Sequence, residues 1–269
     1  MQGKTERPEI LANPRSDRVK KVAGLAGRSA RLRHGQFLVE GPQAVGELIR
    51  FRPDLVRDVY GTDAPNPAGL LDEASAARLH THRVSDAVAR AMSPDAQGIL
   101  AVADIPGPFS LAVLEDARLA VVLPAIADPG NTGTLIRIAD AAGADAVIVC
   151  HGGVEVTNPK VVRASAGSLF HLPVVSGVPF DDVVEASRGA GLALVGADGG
   201  ATLSLFDDAF PADRPTAWVF GNEAHGLSDG ERVSCDALVS IPLYGHAESL
   251  NVAAAAAVCL YRSATAVRR

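Results

Sequence analysis

Cysteine, aromatic side chains and long apolar runs are all scarce in this sequence, and each scarcity narrows the reading. The three cysteines, Cys150, Cys235 and Cys259, are odd in number and far apart. They form neither a CxxC pair nor a disulfide framework, so a reducing cytoplasm is the expected home. One Trp, three Tyr and eight Phe leave the core to be built from Ala, Val, Leu and Ile. No apolar run approaches the roughly 18 residues of a membrane helix, and the polar start MQGKTERPEI lacks the apolar segment of a secretory leader. No membrane partner is expected. HExxH and paired-Cys spacings are missing, so no metal is expected. Missing too are a GxGxxG turn, a Walker A loop and a GxSxG elbow; RASAG (163–167) carries Ser165 without the leading glycine, inside a helical pattern.

What is present describes a soluble globular chain. Its 269 residues suffice for two modest domains, and 48% hydrophobic with 21% charged residues is not a disordered composition. The net charge of −6 speaks against nucleic acid, but the average hides an asymmetry. Residues 1–104 carry 15 Lys/Arg against 13 Asp/Glu, and 105–269 carry 10 against 18. The stretch NPRSDRVKKVAGLAGRSARLRHG (13–35) concentrates Arg15, Arg18, Lys20, Lys21, Arg28, Arg31 and Arg33 around one acid, Asp17. Such a cluster is either a solvated helix face or a surface that contacts RNA phosphates.

Patterning divides the chain at PGPFS (106–110). Before it, QFLVE (36–40), LVRDVYGT (55–62) and GILAVADI (98–105) read as strands, and PQAVGELIRF (42–51) and residues 72–80 as helices. After it, apolar strands alternate with amphipathic helices. Strands are expected at 119–126, 145–150, 172–175, 192–198, 216–221 and 237–243, and helices at 132–143, 158–170, 180–191 and from Ser249 to Tyr261. This rhythm predicts an α/β fold with a mostly parallel sheet covered on both faces. The expected boundaries are an N-terminal domain 1–104, a linker 105–117 and a catalytic domain 118–269.

Ligands of such sheets sit beyond the C-terminal strand ends, which picks out ADPGNTG (127–133), GNEAHGLS (221–228) and YGHAESLN (244–251). Each also has a plain structural reading. Ser249 or Asn251 before the alanine run is an ordinary helix N-cap. Arg137 forms an i,i+3 ion pair with Asp140, and His225 and His246 face solvent. The functional reading is a site of backbone and small polar groups, with glycines allowing close approach. Arg137 follows Asn131 by close to two helical turns, which would turn both toward one end of the site. GADGGA (196–201) reads as a turn with no further role.

At these three loops, ADPGNTGTLIRIADAAGADAV (127–147), VFGNEAHGLS (219–228) and IPLYGHAESLNVAAAAAVCLY (241–261), the sequence resembles the SpoU/TrmH family of SPOUT RNA 2′-O-ribose methyltransferases. NPKVVRASAGSLFHLPV (158–174) resembles the family's intervening helix and strand, and FLVEGPQAVGELI (37–49) its N-terminal substrate-binding module. The resemblance implies a deep trefoil knot, an exception to unknotted topology, after a smaller α/β RNA-binding domain. It also implies S-adenosylmethionine held by the knotted loops, and a homodimer packed through small residues of the alanine helix. By carry-over the catalytic residues are Asn131, Arg137, Glu223, Ser249 and Asn251. Gly221, Asn222, Ile241, Leu243 and Leu250 contact the methyl donor, and the basic 13–35 segment contacts RNA. The implied substrate is large-subunit rRNA. Alternatives are a tRNA 2′-O-methyltransferase, an rRNA-methylating resistance enzyme and a non-catalytic RNA-binding assembly factor. Arg137 positions a phosphate and stabilises a developing alkoxide, or serves as the base; Glu223 is a second proton acceptor.

Overall fold

Ser16 starts the first element: its hydroxyl accepts the Val19 amide at 3.4 Å, a side-chain N-cap that satisfies an orphan donor. The structure is a computed structural model and describes residues 10–267; of the polar opening read for a leader, all but Ile10 lies outside them. Among the described residues two compact units result, 10–106 with 157–170, and 107–156 with 171–267. In the first, α1 (Asp17–Gly24), α2 (Arg28–His34), β1 (Gln36–Glu40), α3 (Pro42–Phe51), β2 (Val56–Gly61), α4 (Pro65–Ala76), β3 (Thr81–Arg83), α5 (Asp86–Met92) and β4 (Ile99–Asp104) follow in order. The sheet runs β1-β4-β2-β3, antiparallel except for the β2–β3 pair. Helix α4 begins earlier than the expected 72–80. Pro65 occupies its first turn, where a missing N–H costs nothing, so prolines that look like breakers open the helix instead.

In the second unit the strands are β5 (Leu119–Leu123), β6 (Ala146–Cys150), β7 (Val174–Val178), β8 (Ala193–Ala197), β9 (Leu203–Ser204), β10 (Thr216–Phe220) and β11 (Ala237–Ser240). They form one parallel sheet in the order β7-β6-β5-β10-β8-β11-β9. β5, β6 and β10 are buried at every position, which is why they read as unbroken apolar runs. The helices are α6 (Pro129–Ala142), α8 (Phe180–Gly189), α9 (Asp229–Ser234) and α10 (Val252–Val267), with α7 (Pro159–Ser165) between α6 and α8 in sequence. α10 packs against α6 and reaches β5, β8 and β10. Among the described residues no helix is long and apolar enough to cross a membrane.

Helix α7 groups with the first unit although it lies between β6 and β7, whereas the sequence reading runs 118–269 as one stretch. The cause is local packing. Val162 and Phe170 enter the core around β1 and α3, and Arg163 pairs with the buried Glu40 carboxylate and with Asp95 at 3.1 Å. Ser93 also donates to Glu40.

Candidate active site

The ADPGNTG loop is a helix start built from its own side chains. Asp128 caps α6 by accepting the Asn131 amide at 2.8 Å, and Pro129 takes the first turn. This fixes Asn131 just beyond the C-terminal end of β5. The GNEAHGLS loop closes on itself, Asn222 and Gly226 exchanging backbone hydrogen bonds of 2.9 and 2.8 Å. Gly221 is required there, because a Cβ would run into the Gly226 backbone and stand 2.5 Å from the Leu227 nitrogen. Asn222 spends its side chain on the loops: Nδ2 donates to the Ala125 carbonyl at 3.0 Å and Oδ1 accepts the Ala224 amide at 2.9 Å. Ser228 and Glu231 then form a capping box at α9.

These loops meet the third at one cavity of about 660 Å³ outside the C-terminal strand ends. Asn131, Gly221, Asn222, Glu223, Ile241, Leu243, Ser249, Leu250 and Asn251 all line it. Asn131 Nδ2 donates to Glu223 Oε1 at 3.0 Å, and the Asp128 amide reaches the same oxygen at 3.4 Å. Burial raises the Glu223 pKa, but hydrogen bonds from Asn131 and from the Glu223, Ala127 and Asp128 amides outweigh it. The net value falls below the ordinary one. Glu223 is thus an ionised acceptor with reduced basicity. Asn251 is the cap of α10: Oδ1 accepts the Ala253 amide at 2.9 Å, and its carbonyl accepts Ala255 at 2.9 Å. The helix-cap reading of the alanine-run boundary holds, and the capping residue also lines the cavity.

Arg137 does not line the cavity. Six residues at about 100° each fall about 120° short of two turns, so the expectation that Arg137 and Asn131 turn to one end does not hold within one chain. Arg137 is exposed and, among the described residues, makes no hydrogen bond or ion pair. Its expected partner Asp140 takes His171 instead, Nδ1 to Oδ2 at 2.8 Å. Ala197, Asp198 and Gly199 also line the cavity, so GADGGA has a place in the site. The signal was present: the turn follows an apolar strand, like the other three loops. Asp198 pairs with Arg232 and accepts the Gly200 amide at 2.8 Å.

In the first unit Arg15, Arg18, Lys20, Lys21, Arg28 and Arg33 are exposed. Arg31 is corrected: it is 2% exposed and donates to the Leu25 and Ala26 carbonyls at 3.1 and 2.7 Å. Its guanidinium ties down the end of α1 and does not face solvent where a phosphate would bind. All three cysteines are buried or half-buried thiols, and burial pushes the pKa of Cys150 to about 12, Cys235 to about 11 and Cys259 to about 12. None is a nucleophile at neutral pH.

Comparison with known proteins bears on this geometry. The sequence profile of the SpoU rRNA Methylase family matches residues 118–261. The 23S rRNA (guanosine(2553)-2′-O)-methyltransferase RlmP of Bacillus subtilis is 32% identical over 93% of this chain and 97% of its own. A 23S rRNA (uridine(2479)-2′-O)-methyltransferase of Streptomyces viridochromogenes is 36% identical over 89% of this chain and 86% of its own. Among solved structures, the SpoU methyltransferase AviRb from Streptomyces viridochromogenes, in complex with the cofactor AdoMet, superposes with a TM-score of 0.80. It is 33% identical, over 93% of this chain and 98% of that one.

Proposed function

This chain belongs to the SpoU rRNA methylase family, and we propose that it transfers the methyl group of S-adenosylmethionine to a ribose 2′-hydroxyl of large-subunit (23S-type) rRNA. The observation that carries the reading is the convergence of three loops on one cavity, with Asn131 hydrogen-bonded to Glu223 at its edge. The residues present fit the donor. The cavity lies within the roughly 300–1,000 Å³ of small-molecule sites, Gly221 brings main chain to its wall, and its lining carboxylates Asp198, Glu223 and Glu248 suit a cationic ligand. When bound, S-adenosylmethionine supplies an electrophilic methyl on a sulfonium.

The chain's own groups orient and stabilise. Holding two reactants in line is worth ~7–11 kcal/mol in favourable cases. Gly221, Asn222, Ile241, Leu243 and Leu250 bind the donor. Asn131, fixed through Glu223, Asp128 and its place on α6, orients the ribose with Ser249 and Asn251. The lowered pKa of Glu223 favours a role as the anchor of Asn131 over that of proton acceptor. Arg137 offers a guanidinium fork that stabilises the developing alkoxide while gripping a neighbouring phosphate.

Arg137 reaches that position in a homodimer. Tyr261 of α10, half exposed, donates to the Ala141 carbonyl at 3.2 Å, one turn after Arg137 on the same face of α6. Leu243, Leu250 and Tyr244 are exposed apolar residues of the third loop. The return of α10 to β5, β8 and β10 after the β11 loop supports a trefoil knot. Arg15, Arg18, Lys20, Lys21, Arg28 and Arg33 of the first unit bind RNA phosphates. Three free, widely spaced cysteines suit a reducing cytoplasm as the enzyme's place of action. RlmP is named for a guanosine and the Streptomyces relative for a uridine.

Incubation with methyl-labelled donor and protein-free 23S rRNA tests the proposal. The expected result is label at a single linkage that resists alkaline hydrolysis, because a methylated 2′-oxygen cannot attack its phosphate. Label on a base, or none on RNA, would overturn it.

A further inference from the structure

Three carboxylates line the cavity, and two are engaged. Asp198 holds Arg232 and the Gly200 amide; Glu223 holds Asn131 and the Asp128 amide. Glu248 is exposed and, among the described residues, forms no hydrogen bond or ion pair. No Lys, Arg or His lines the same space. A carboxylate with no partner therefore faces a cavity from which lining cations are absent.

Resting on the methyl-donor reading above, we propose that Glu248 is a specificity residue that distinguishes the donor from its demethylated product by charge. In the transfer the carbon–sulfur bond breaks and its electron pair stays on sulfur. A carbon–oxygen bond forms, and the hydroxyl proton passes to solvent. Sulfonium becomes neutral thioether, while the ammonium and carboxylate of the amino-acid moiety are unchanged. The two ligands differ by one methyl and one unit of positive charge. An unpartnered carboxylate acts on that difference through Coulomb attraction, drawing in the donor and loosening its hold once the charge is gone. An exposed carboxylate contributes modestly and is screened by salt.

Calorimetric titration of the full-length protein with S-adenosylmethionine and S-adenosylhomocysteine tests this, at low and high salt. Glu248→Gln is expected to weaken donor binding about two- to fivefold and to leave product binding unchanged. Glu248→Asp is expected to retain most of the preference, and high salt to shrink it in the wild type. Equal losses for both ligands, or no change for either, would overturn the proposal. So would an equal loss accompanied by a shift in sedimentation from dimer to monomer, which would assign Glu248 to a subunit interface. If the wild type binds neither ligand, the donor reading itself fails and this inference with it.

Discussion

Asn131 and Glu223, 92 positions apart, are joined by a 3.0 Å hydrogen bond from Nδ2 to Oε1. The bond links the loop after β5 to the loop after β10, neighbouring strands of the parallel sheet, and so closes one edge of the cavity. The bond is stronger to the ionised carboxylate than to the neutral acid, and so holds the Glu223 pKa down.

That preference sets a pH dependence. The folded pKa of Glu223 lies below its ordinary value of 4.5. Its contribution is therefore present above the unfolded pKa and is lost as pH falls through the lowered folded pKa. The carboxylate signal of Glu223, followed by NMR, is expected to titrate below 4.5 and to move upward in Asn131→Ala. A wild-type value above 4.5 would contradict the bond's role.

Gly221→Ala is expected to destabilise the protein itself by roughly 1–3 kcal/mol, the range for forced overpacking. The added carbon meets backbone at Gly226 and Leu227, which cannot swing aside. Thermal unfolding checks it. An unchanged melting temperature with lost donor binding would mean that Gly221 serves the ligand alone.

The basic segment separates by burial. Replacing Lys21, Arg28 and Arg33 together by Ala is expected to flatten the salt dependence of RNA binding by about one unit of slope for each phosphate no longer neutralised, with stability nearly unchanged. Arg31→Ala is expected to do the reverse, leaving the Leu25 and Ala26 carbonyls unpaired. Filter binding across a salt series, beside thermal melts, distinguishes the two.

Arg163→Ala leaves Glu40 buried without its cation. Removing one partner of a buried pair costs about 3–5 kcal/mol, reduced here because the Ser93 hydroxyl remains. Denaturant unfolding is expected to show a loss of this order in the wild-type background. Little further loss is expected once Glu40 is replaced by Gln.

Much of this arrangement is written locally and is therefore legible in the sequence. QFLVE and PQAVGELIRF become β1 and α3 with matching bounds, because a short apolar run buried on both faces reads as a strand and a 3.6-period pattern buries one face of a helix. The three loops announce themselves through Gly, Asn and Ser at strand ends. What escaped is long-range or stereochemical. The Arg163–Glu40 pair spans 123 positions, and no local pattern reports it. Arg31 differs from Arg28 and Arg33 only in which way its helix faces. Asp198 lay in a turn matching no motif, although its place after an apolar strand was the same clue that found its neighbours.

In the proposed mechanism donor binding belongs to the cavity and transition-state stabilisation to Arg137 outside it. Single-turnover methyl transfer to 23S rRNA, measured on Arg137→Ala beside calorimetry with S-adenosylmethionine, tests that division most directly. Transfer is expected to fall by about 100-fold or more, as for removal of an oxyanion donor, with donor affinity unchanged. Arg137→Lys is expected to recover little, since an ammonium lacks the guanidinium fork. Donor binding lost in step with transfer, or near-normal turnover in Arg137→Ala, would contradict it.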